Sequence, residues 1–143
     1  MNDVDLAKIE KATGLTLPAA YATLLRKFPA ELLALLKFDE PDERMLFTDA
    51  RTIVRWNKFF RKPDYEYENS SGEICQFPSN HIVIGANSGG DFYHIDTRRK
   101  RTAVLFWCHE TGEFTECAKH LDAFIREIFS CTADGILYVL DLK

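Results

Sequence analysis

The sequence predicts an α+β fold with N-terminal helices, a mainly antiparallel multi-stranded sheet and a C-terminal amphipathic helix. Three observations indicate this class: apolar residues recur at helical spacing through about residue 60, short β-branched and aromatic runs follow from residue 74, and helical spacing returns over 118–129. Helices and strands grouped in this way, rather than in strict alternation, are typical of α+β domains. The 143 residues are expected to form a single domain over 1–143.

The N-terminal part of the chain carries the signals of consecutive helices. A first helix is predicted from Asp3 to Ala12, with Gly14 beyond its end as the cap. Pro18 suits the first turn of a second helix, and Pro29 is expected to end that helix and to begin another short one. The second helix has one apolar stripe, which consists of Tyr21, Leu24, Leu25 and Phe28.

A further helix is predicted to follow Thr48 or Asp49. Its apolar residues share one face, which we expect to be buried: Ile53, Trp56 and Phe60. Its basic residues lie mostly outside that face: Arg51, Arg55 and Lys58.

Two loops are candidates for partner contacts. Residues 39–44 carry four acids, among them Glu40, Asp42 and Glu43. A solvated turn is the plainer interpretation of this loop, and a binding surface is the alternative. Residues 62–73 form the most irregular stretch, and their two tyrosines either contact a partner or fold back onto the sheet: Tyr65 and Tyr67.

The C-terminal half is predicted to form a meander of strands followed by a helix. Three runs rich in β-branched and aromatic residues read as consecutive strands, at 81–87, 91–97 and 102–108. A short strand through Thr115 and an amphipathic helix over 118–129 follow, whose apolar face consists of Leu121, Phe124, Ile125, Ile128 and Phe129. Periodicity leaves residues 136–143 open between a strand and a helical turn.

The segment IGANSGGDFYHID, residues 84–96, has the glycine spacing of a phosphate-binding loop but not its chemistry. Asp91 and Phe92 stand where such a loop needs Lys followed by Ser or Thr, and the segment joins two strands rather than a strand and a helix. We therefore predict a structural turn, in which glycines and an asparagine supply positive φ and the aspartate accepts hydrogen bonds from the turn amides. Its residues are Gly85, Asn87, Gly89, Gly90 and Asp91.

Composition excludes several classes of partner. The formal net charge of −4 disfavours nucleic acid, and the basic run 98–101 has no interleaved aromatic residue on which bases stack. No apolar run approaches the roughly 20 residues that span a bilayer, and the N-terminus lacks the pattern of a signal peptide. We therefore expect a cytoplasmic protein with no membrane partner, whose four cysteines are reduced thiols.

No catalytic, metal or cofactor site is predicted. Four possible zinc ligands lie close in sequence, but adjacent strand residues face opposite sides of a sheet, so they do not converge: Cys108, His109, Cys117 and His120. The cysteines lie in apolar or amphipathic surroundings, where a thiol behaves as a small hydrophobe rather than as a nucleophile. Asp91 has the turn role described above, and Asp96 ends a strand before a basic turn, where we expect Arg98 or Arg99 to neutralise it.

The ordered motifs of the chain resemble those of the SMI1/KNR4 (SUKH) superfamily over about residues 5 to 130. The first half matches a G-x-x-LP-x-x-Y-x-x-x-L pattern with Gly14, Leu17, Pro18, Tyr21 and Leu25, then Pro78. The second half matches an hIG-x-N-x-GGD-x-Y-x-h-D pattern with Ile84, Gly85, Asn87, Gly89, Gly90, Asp91, Tyr93 and Asp96. A V-x-x-W-x-H-E-like strand follows with Val104, Trp107, His109 and Glu110.

This resemblance implies a non-enzymatic protein-binding domain, in particular a bacterial immunity protein that neutralises a cognate toxin, such as a nuclease effector, by direct binding. A regulatory or scaffold interaction module of the same superfamily is the alternative, and a small Cys/His enzyme is a third hypothesis. Because toxic nucleases are commonly basic, acidic surface residues suit such a partner. The candidate partner-binding residues are Glu40, Asp42, Glu43, Tyr65, Tyr67 and Glu110.

Overall fold

The computed structural model describes residues 1–141, with side chains through residue 131. The helices in this range are α1 (Asp3–Thr13), α2 (Ala19–Arg26), α3 (Ala30–Leu36), α4 (Ala50–Phe60) and α5 (Leu121–Asp141), and a short 3₁₀ turn covers Pro41–Glu43. The strands are β1 (Tyr67–Glu68), β2 (Ile74–Cys75), β3 (His81–Ala86), β4 (Phe92–Asp96), β5 (Val104–Cys108) and β6 (Glu113–Ala118). The predicted α+β class is confirmed.

The main sheet is an antiparallel meander in the order β3-β4-β5-β6. Its strands are the four that the sequence predicts, and the basic run 98–101 forms the connection between β4 and β5. The short strands β1 and β2 pair separately as an antiparallel hairpin. Sequence periodicity missed this hairpin, because each of its strands is only two residues long.

Local sequence chemistry sets both ends of α1 and the C-terminal end of α2. The Asn2 side chain accepts a hydrogen bond from the Asp5 backbone N–H at 2.9 Å and so caps α1, and Gly14 ends the helix with φ of 70°. Helix α2 ends at Arg26, so the prediction that it reaches Phe28 is wrong. The physical reason is Pro29, because the residue before a proline avoids the helical region.

Helix α4 follows its cap, Asp49, as predicted, and hydrogen-bonds to the edge strand β3. The Asp49 carboxylate accepts a hydrogen bond from the Thr52 backbone N–H at 2.8 Å. The buried amide of Asn57 both donates to the Val83 carbonyl oxygen and accepts from the Val83 N–H, each at 2.9 Å. This pair of bonds lies at the β-bulge where the β3–β4 register shifts between Val83 and Gly85.

The main sheet has a helix packed on each face. On one face Phe92 of β4 contacts Trp56 and Phe60 of α4, with ring centroids 4.8 Å apart in both pairs. The next residue along the strand, Tyr93, contacts Phe124 of α5 at 4.9 Å. Because successive side chains of a strand point to opposite faces, α4 and α5 cover opposite sides of the sheet.

Helix α5 continues beyond the predicted 118–129 segment. Its predicted apolar face packs inward, since Leu121, Phe124 and Ile128 are buried. The helix extends to Asp141, so residues 136–141, for which the sequence allowed either a strand or a helical turn, are helical. Residues 142 and 143 lie outside the described residues.

Candidate functional site

The turn between β3 and β4 is organised by the side chain of Asn87. Its Oδ1 accepts hydrogen bonds from the backbone N–H groups of Gly89 at 2.9 Å and Asp91 at 3.0 Å. In the described part of the chain, Gly90 is the one residue of this turn with positive φ, at 89°. The prediction that Asn87 and Gly89 also supply positive φ is wrong, because the Asn87 side chain satisfies the turn amides and a single left-handed residue completes the reversal.

Gly85 lies within β3 rather than in the turn itself. A Cβ at this position would stand 1.7 Å from the carbonyl oxygen of Met45. The segment 44–47 runs along this edge of β3, where Ala86 N–H donates to the Arg44 carbonyl and Phe47 N–H donates to the Ile84 carbonyl, each at 2.8 Å. Gly85 is therefore required by close backbone approach and not by turn conformation.

Asp91 joins two turns of the sheet. Its Oδ1 accepts from the His109 backbone N–H at 3.0 Å and faces the His109 ring Nδ1 at 2.7 Å, while Asn87 Nδ2 donates to its Oδ2 at 3.1 Å. The expectation that Asp91 accepts from the amides of its own turn is wrong, because Asn87 already binds them. Burial opposes ionisation of Asp91, but the hydrogen bonds from His109 and Asn87 prevail and lower its pKa below the ordinary value.

Residues 39–44, which we call the acidic loop, lie against α4 through Asp42. Asp42 pairs with the Arg55 guanidinium and accepts a hydrogen bond from Trp56 Nε1 at 3.0 Å. Glu40 and Glu43, on either side of it, are exposed. The loop therefore presents the exposed carboxylates of Glu40 and Glu43 beside that of Asp42, which also holds the Trp56 ring in place.

The two candidate tyrosines fold back onto the protein while keeping part of their surface exposed. Tyr65 contacts Phe60 at a ring-centroid distance of 5.1 Å and Phe59 at 5.5 Å, and Tyr67 contacts Trp107 at 5.4 Å. Both tyrosines are half-buried, and burial raises the pKa of each phenol. The alternative in which they pack on the fold accounts for their position, and their exposed edges are still available to a partner.

These contacts form a continuous surface that we call the aromatic patch, defined as Trp56, Phe59 and Tyr65. Trp56 and Phe59 meet edge to face at 5.6 Å, and Phe59 is 39% exposed. The patch adjoins Asp42 of the acidic loop, through its hydrogen bond to Trp56. Exposed Glu110 lies on a different element, the turn between β5 and β6.

Sequence reasoning missed the exposed part of this patch. Trp56 was predicted on the buried face of α4, but it is half-buried at the edge of that face. Phe59 was not singled out. Its exposure could have been predicted from its position in the sequence, because consecutive residues of a helix point in different directions and Phe60 occupies the inward face.

A second polar cluster is buried within the sheet. The rings of His81 and His94 are 5.5 Å apart, and neither ring nitrogen of His94 has a hydrogen-bond partner among the described residues. Burial lowers the pKa of His81 to about 4 and holds the pKa of His94 well below its ordinary value. Nearby, Asp96 accepts two hydrogen bonds from the Arg98 guanidinium, at 3.1 and 3.0 Å, as the sequence predicts.

The candidate metal ligands and thiols have the following surroundings in the described part of the chain. Within residues whose side chains are described, no three His, Cys, Asp or Glu side chains converge as metal ligands. Cys117 packs against the Val104 carbonyl at 3.4 Å, and burial raises the pKa of its thiol to about 11. Of the described helices, none has the combination of length and apolar character that a bilayer-crossing segment needs.

Comparison with known proteins agrees with the resemblance found in the sequence. The family described as SMI1 / KNR4 family (SUKH-1) matches residues 1–127 of the chain. Searches among curated proteins and among solved structures gave no significant match. The matched range covers all the described strands and helices α1 to α4, and it includes the aromatic patch and the acidic loop. The chain belongs to the SMI1/KNR4 (SUKH-1) family.

Proposed function

We propose that this protein is a non-enzymatic binding domain, an immunity protein of the cytoplasm that neutralises a cognate protein toxin by occluding it. Family membership supports a role of this kind. The observation that carries the proposal is the aromatic patch beside the acidic loop, since it combines exposed rings with fixed charges on one surface.

The aromatic patch has the chemistry of an interface anchor. Trp, Tyr and Arg dominate the residues whose truncation weakens protein complexes most. The guanidinium of Arg55 lies over the Trp56 ring, and Tyr65 joins the same patch through its contact with Phe59. Asp42 holds both the Arg55 guanidinium and the Trp56 indole. Because these side chains are already ordered in the free protein, a partner meets a prearranged surface and less conformational entropy is lost on binding.

The acidic residues favour a basic partner. Glu40 and Glu43 are exposed at the border of the patch, and Glu110 is exposed at the β5–β6 turn. Charges at the rim of an interface mainly steer association and increase the on-rate. A basic toxin, such as a nuclease effector, is therefore the partner that we assign to this surface.

Occlusion rather than catalysis is supported by the state of the reactive groups. A thiol with a pKa of about 11, as at Cys117, is almost entirely protonated at neutral pH and is a poor nucleophile. Asp91 is occupied by its hydrogen bonds to His109 and Asn87. The structural roles of these two groups support inhibition by surface complementarity.

Co-expression tests the proposal directly. The protein and the product of the reading frame adjacent to its gene are produced together in a bacterial host, and growth and co-purification are measured. We expect growth to be rescued and a stable complex to be recovered. Rescue without a complex would point to a regulatory role or an enzymatic one, and absence of both would refute the proposal.

A further inference from the structure

A groove between α1 and α4 collects basic side chains. Its volume is about 930 Å³. Five basic residues line it, all of them exposed: Lys8 and Lys11 from α1, and Arg51, Arg55 and Lys58 from α4. This concentration of positive charge contrasts with the net charge of −4 carried by the whole chain. A local field of this sign attracts anionic groups even when the overall charge repels them.

Helical geometry arranges these side chains in two rows. Lys8 and Lys11 are three residues apart on α1, while Arg51, Arg55 and Lys58 follow one another at four and three residues on α4, so each set shares one helix face. The helical rise separates Arg51 from Lys58 by about 10 Å along the axis. The two rows therefore form an extended positive surface rather than a single point at which donors converge.

Most of this charge has no counterpart in the described part of the chain. Arg55 pairs with Asp42. Asp5, the one acid among the described residues that line the groove, accepts a hydrogen bond from the Asn2 backbone N–H at 3.2 Å as part of the α1 cap. No described carboxylate lies within 4.0 Å of the charged nitrogens of the other four basic residues: Lys8, Lys11, Arg51 and Lys58.

The remaining lining of the groove distinguishes between anionic ligands. It is aliphatic, formed by Ala12, Ala50 and Val54, and no aromatic side chain among the described residues lines it. Single-stranded nucleic acid needs aromatic platforms for stacking and a positive overall field. No described residue supplies such a platform at the groove, and the net charge of the whole chain is −4. Small anions prefer several donors that converge on one point. An acidic polypeptide instead has carboxylates spaced along a chain and aliphatic stems that cover an aliphatic floor.

We propose that the α1–α4 groove is a second binding site, which takes an acidic segment of a partner protein with its carboxylates facing the two basic rows. The site adjoins the aromatic patch along α4, where Arg55 and Trp56 are neighbours, but its charge is opposite to that of the acidic loop. It does not depend on the immunity role proposed above, because it is argued from the groove alone.

Fluorescence anisotropy tests this site with a labelled peptide of about ten residues in which Glu and Ala alternate. The two helices of the groove have 11 residues each and are about 16 Å long, and an extended peptide of this size exceeds that length. The same peptide with Gln in place of Glu and a single-stranded oligothymidylate serve as comparison ligands. Two variants each remove two charges from one wall of the groove, Lys8→Gln with Lys11→Gln, and Arg51→Gln with Lys58→Gln. A control variant, Lys27→Gln with Lys37→Gln, removes the same charge from exposed positions outside the groove.

We expect the acidic peptide to bind at low ionic strength, and each groove variant to weaken binding by about fivefold or more while the control changes it by less than about twofold. Since all six substituted positions are exposed, thermal unfolding should be unchanged. The two groove variants alter different helices, so the test still stands if one of them fails to fold. Three results would overturn the proposal: no binding of the acidic peptide, equal losses in groove and control variants, or tighter binding of the oligothymidylate than of the peptide.

Discussion

Asp91 accepts a hydrogen bond from the His109 backbone N–H at 3.0 Å, and the same carboxylate oxygen lies 2.7 Å from the His109 ring nitrogen Nδ1. This relationship fastens the β3–β4 turn to the start of the β5–β6 turn, two segments that are distant in sequence. The aspartate therefore links the two turns, and we call this contact the clasp.

Removing the clasp should lower stability. We expect Asp91→Ala to reduce the free energy of unfolding by about 1–2 kcal/mol at neutral pH, because charge-assisted hydrogen bonds from His109 and Asn87 are lost. Urea denaturation measures the difference, with exposed Asp64→Ala as the control. Equal stability of the two variants would show that the clasp contributes nothing.

The same contribution should disappear in acid. The folded state lowers the pKa of Asp91 below its ordinary 3.8, so the stabilisation is present above that value and is lost as pH falls through the lowered pKa of the folded state. The difference between wild type and Asp91→Ala should accordingly shrink below about pH 4. A difference that stays constant down to pH 2 would contradict the assignment.

Substitution by alanine should destabilise the fold far more at Gly85 than at Gly89. At Gly85 a Cβ would overlap the Met45 carbonyl oxygen at 1.7 Å, whereas at Gly89 the nearest atom is Asn87 Oδ1 at 3.4 Å. We expect Gly85→Ala to cost about 3 kcal/mol or more, since backbone atoms must move apart, and Gly89→Ala to cost less than about 1 kcal/mol. Thermal unfolding compares the two, and similar melting temperatures would refute the close approach of residues 44–47 to β3.

Buried His94 should make the fold sensitive to mild acid. Its folded-state pKa is depressed below 6.5, so between these two pKa values the unfolded chain binds a proton that the folded chain does not bind. The free energy of unfolding therefore falls as the pH drops below about 6.5. The neighbouring His81, with a folded-state pKa of about 4, acts in the same direction. We expect His94→Leu to flatten the decline of the urea midpoint between about pH 6.5 and pH 4. An unchanged slope would contradict this role.

Much of the fold follows from local sequence chemistry, but the candidate surface does not. Asn2, Gly14 and Asp49 mark helix ends through hydrogen bonds and φ values that involve only nearby residues, so sequence reasoning located these ends to within one residue. The role of Gly85 depends on Met45, and the exposure of Phe59 depends on how α4 lies on the sheet. Such facts arise from tertiary packing, which single-sequence patterns do not encode.

The measurement that tests the central claim most directly is calorimetric titration of the purified protein with the product of the reading frame adjacent to its gene. The account predicts a stoichiometric complex that Phe59→Ala weakens by about 2 kcal/mol, roughly thirtyfold, whereas Val4→Ala, at an exposed apolar position on α1, leaves it unchanged. Absence of binding by the wild-type protein, or equal affinities for the two variants, would contradict it.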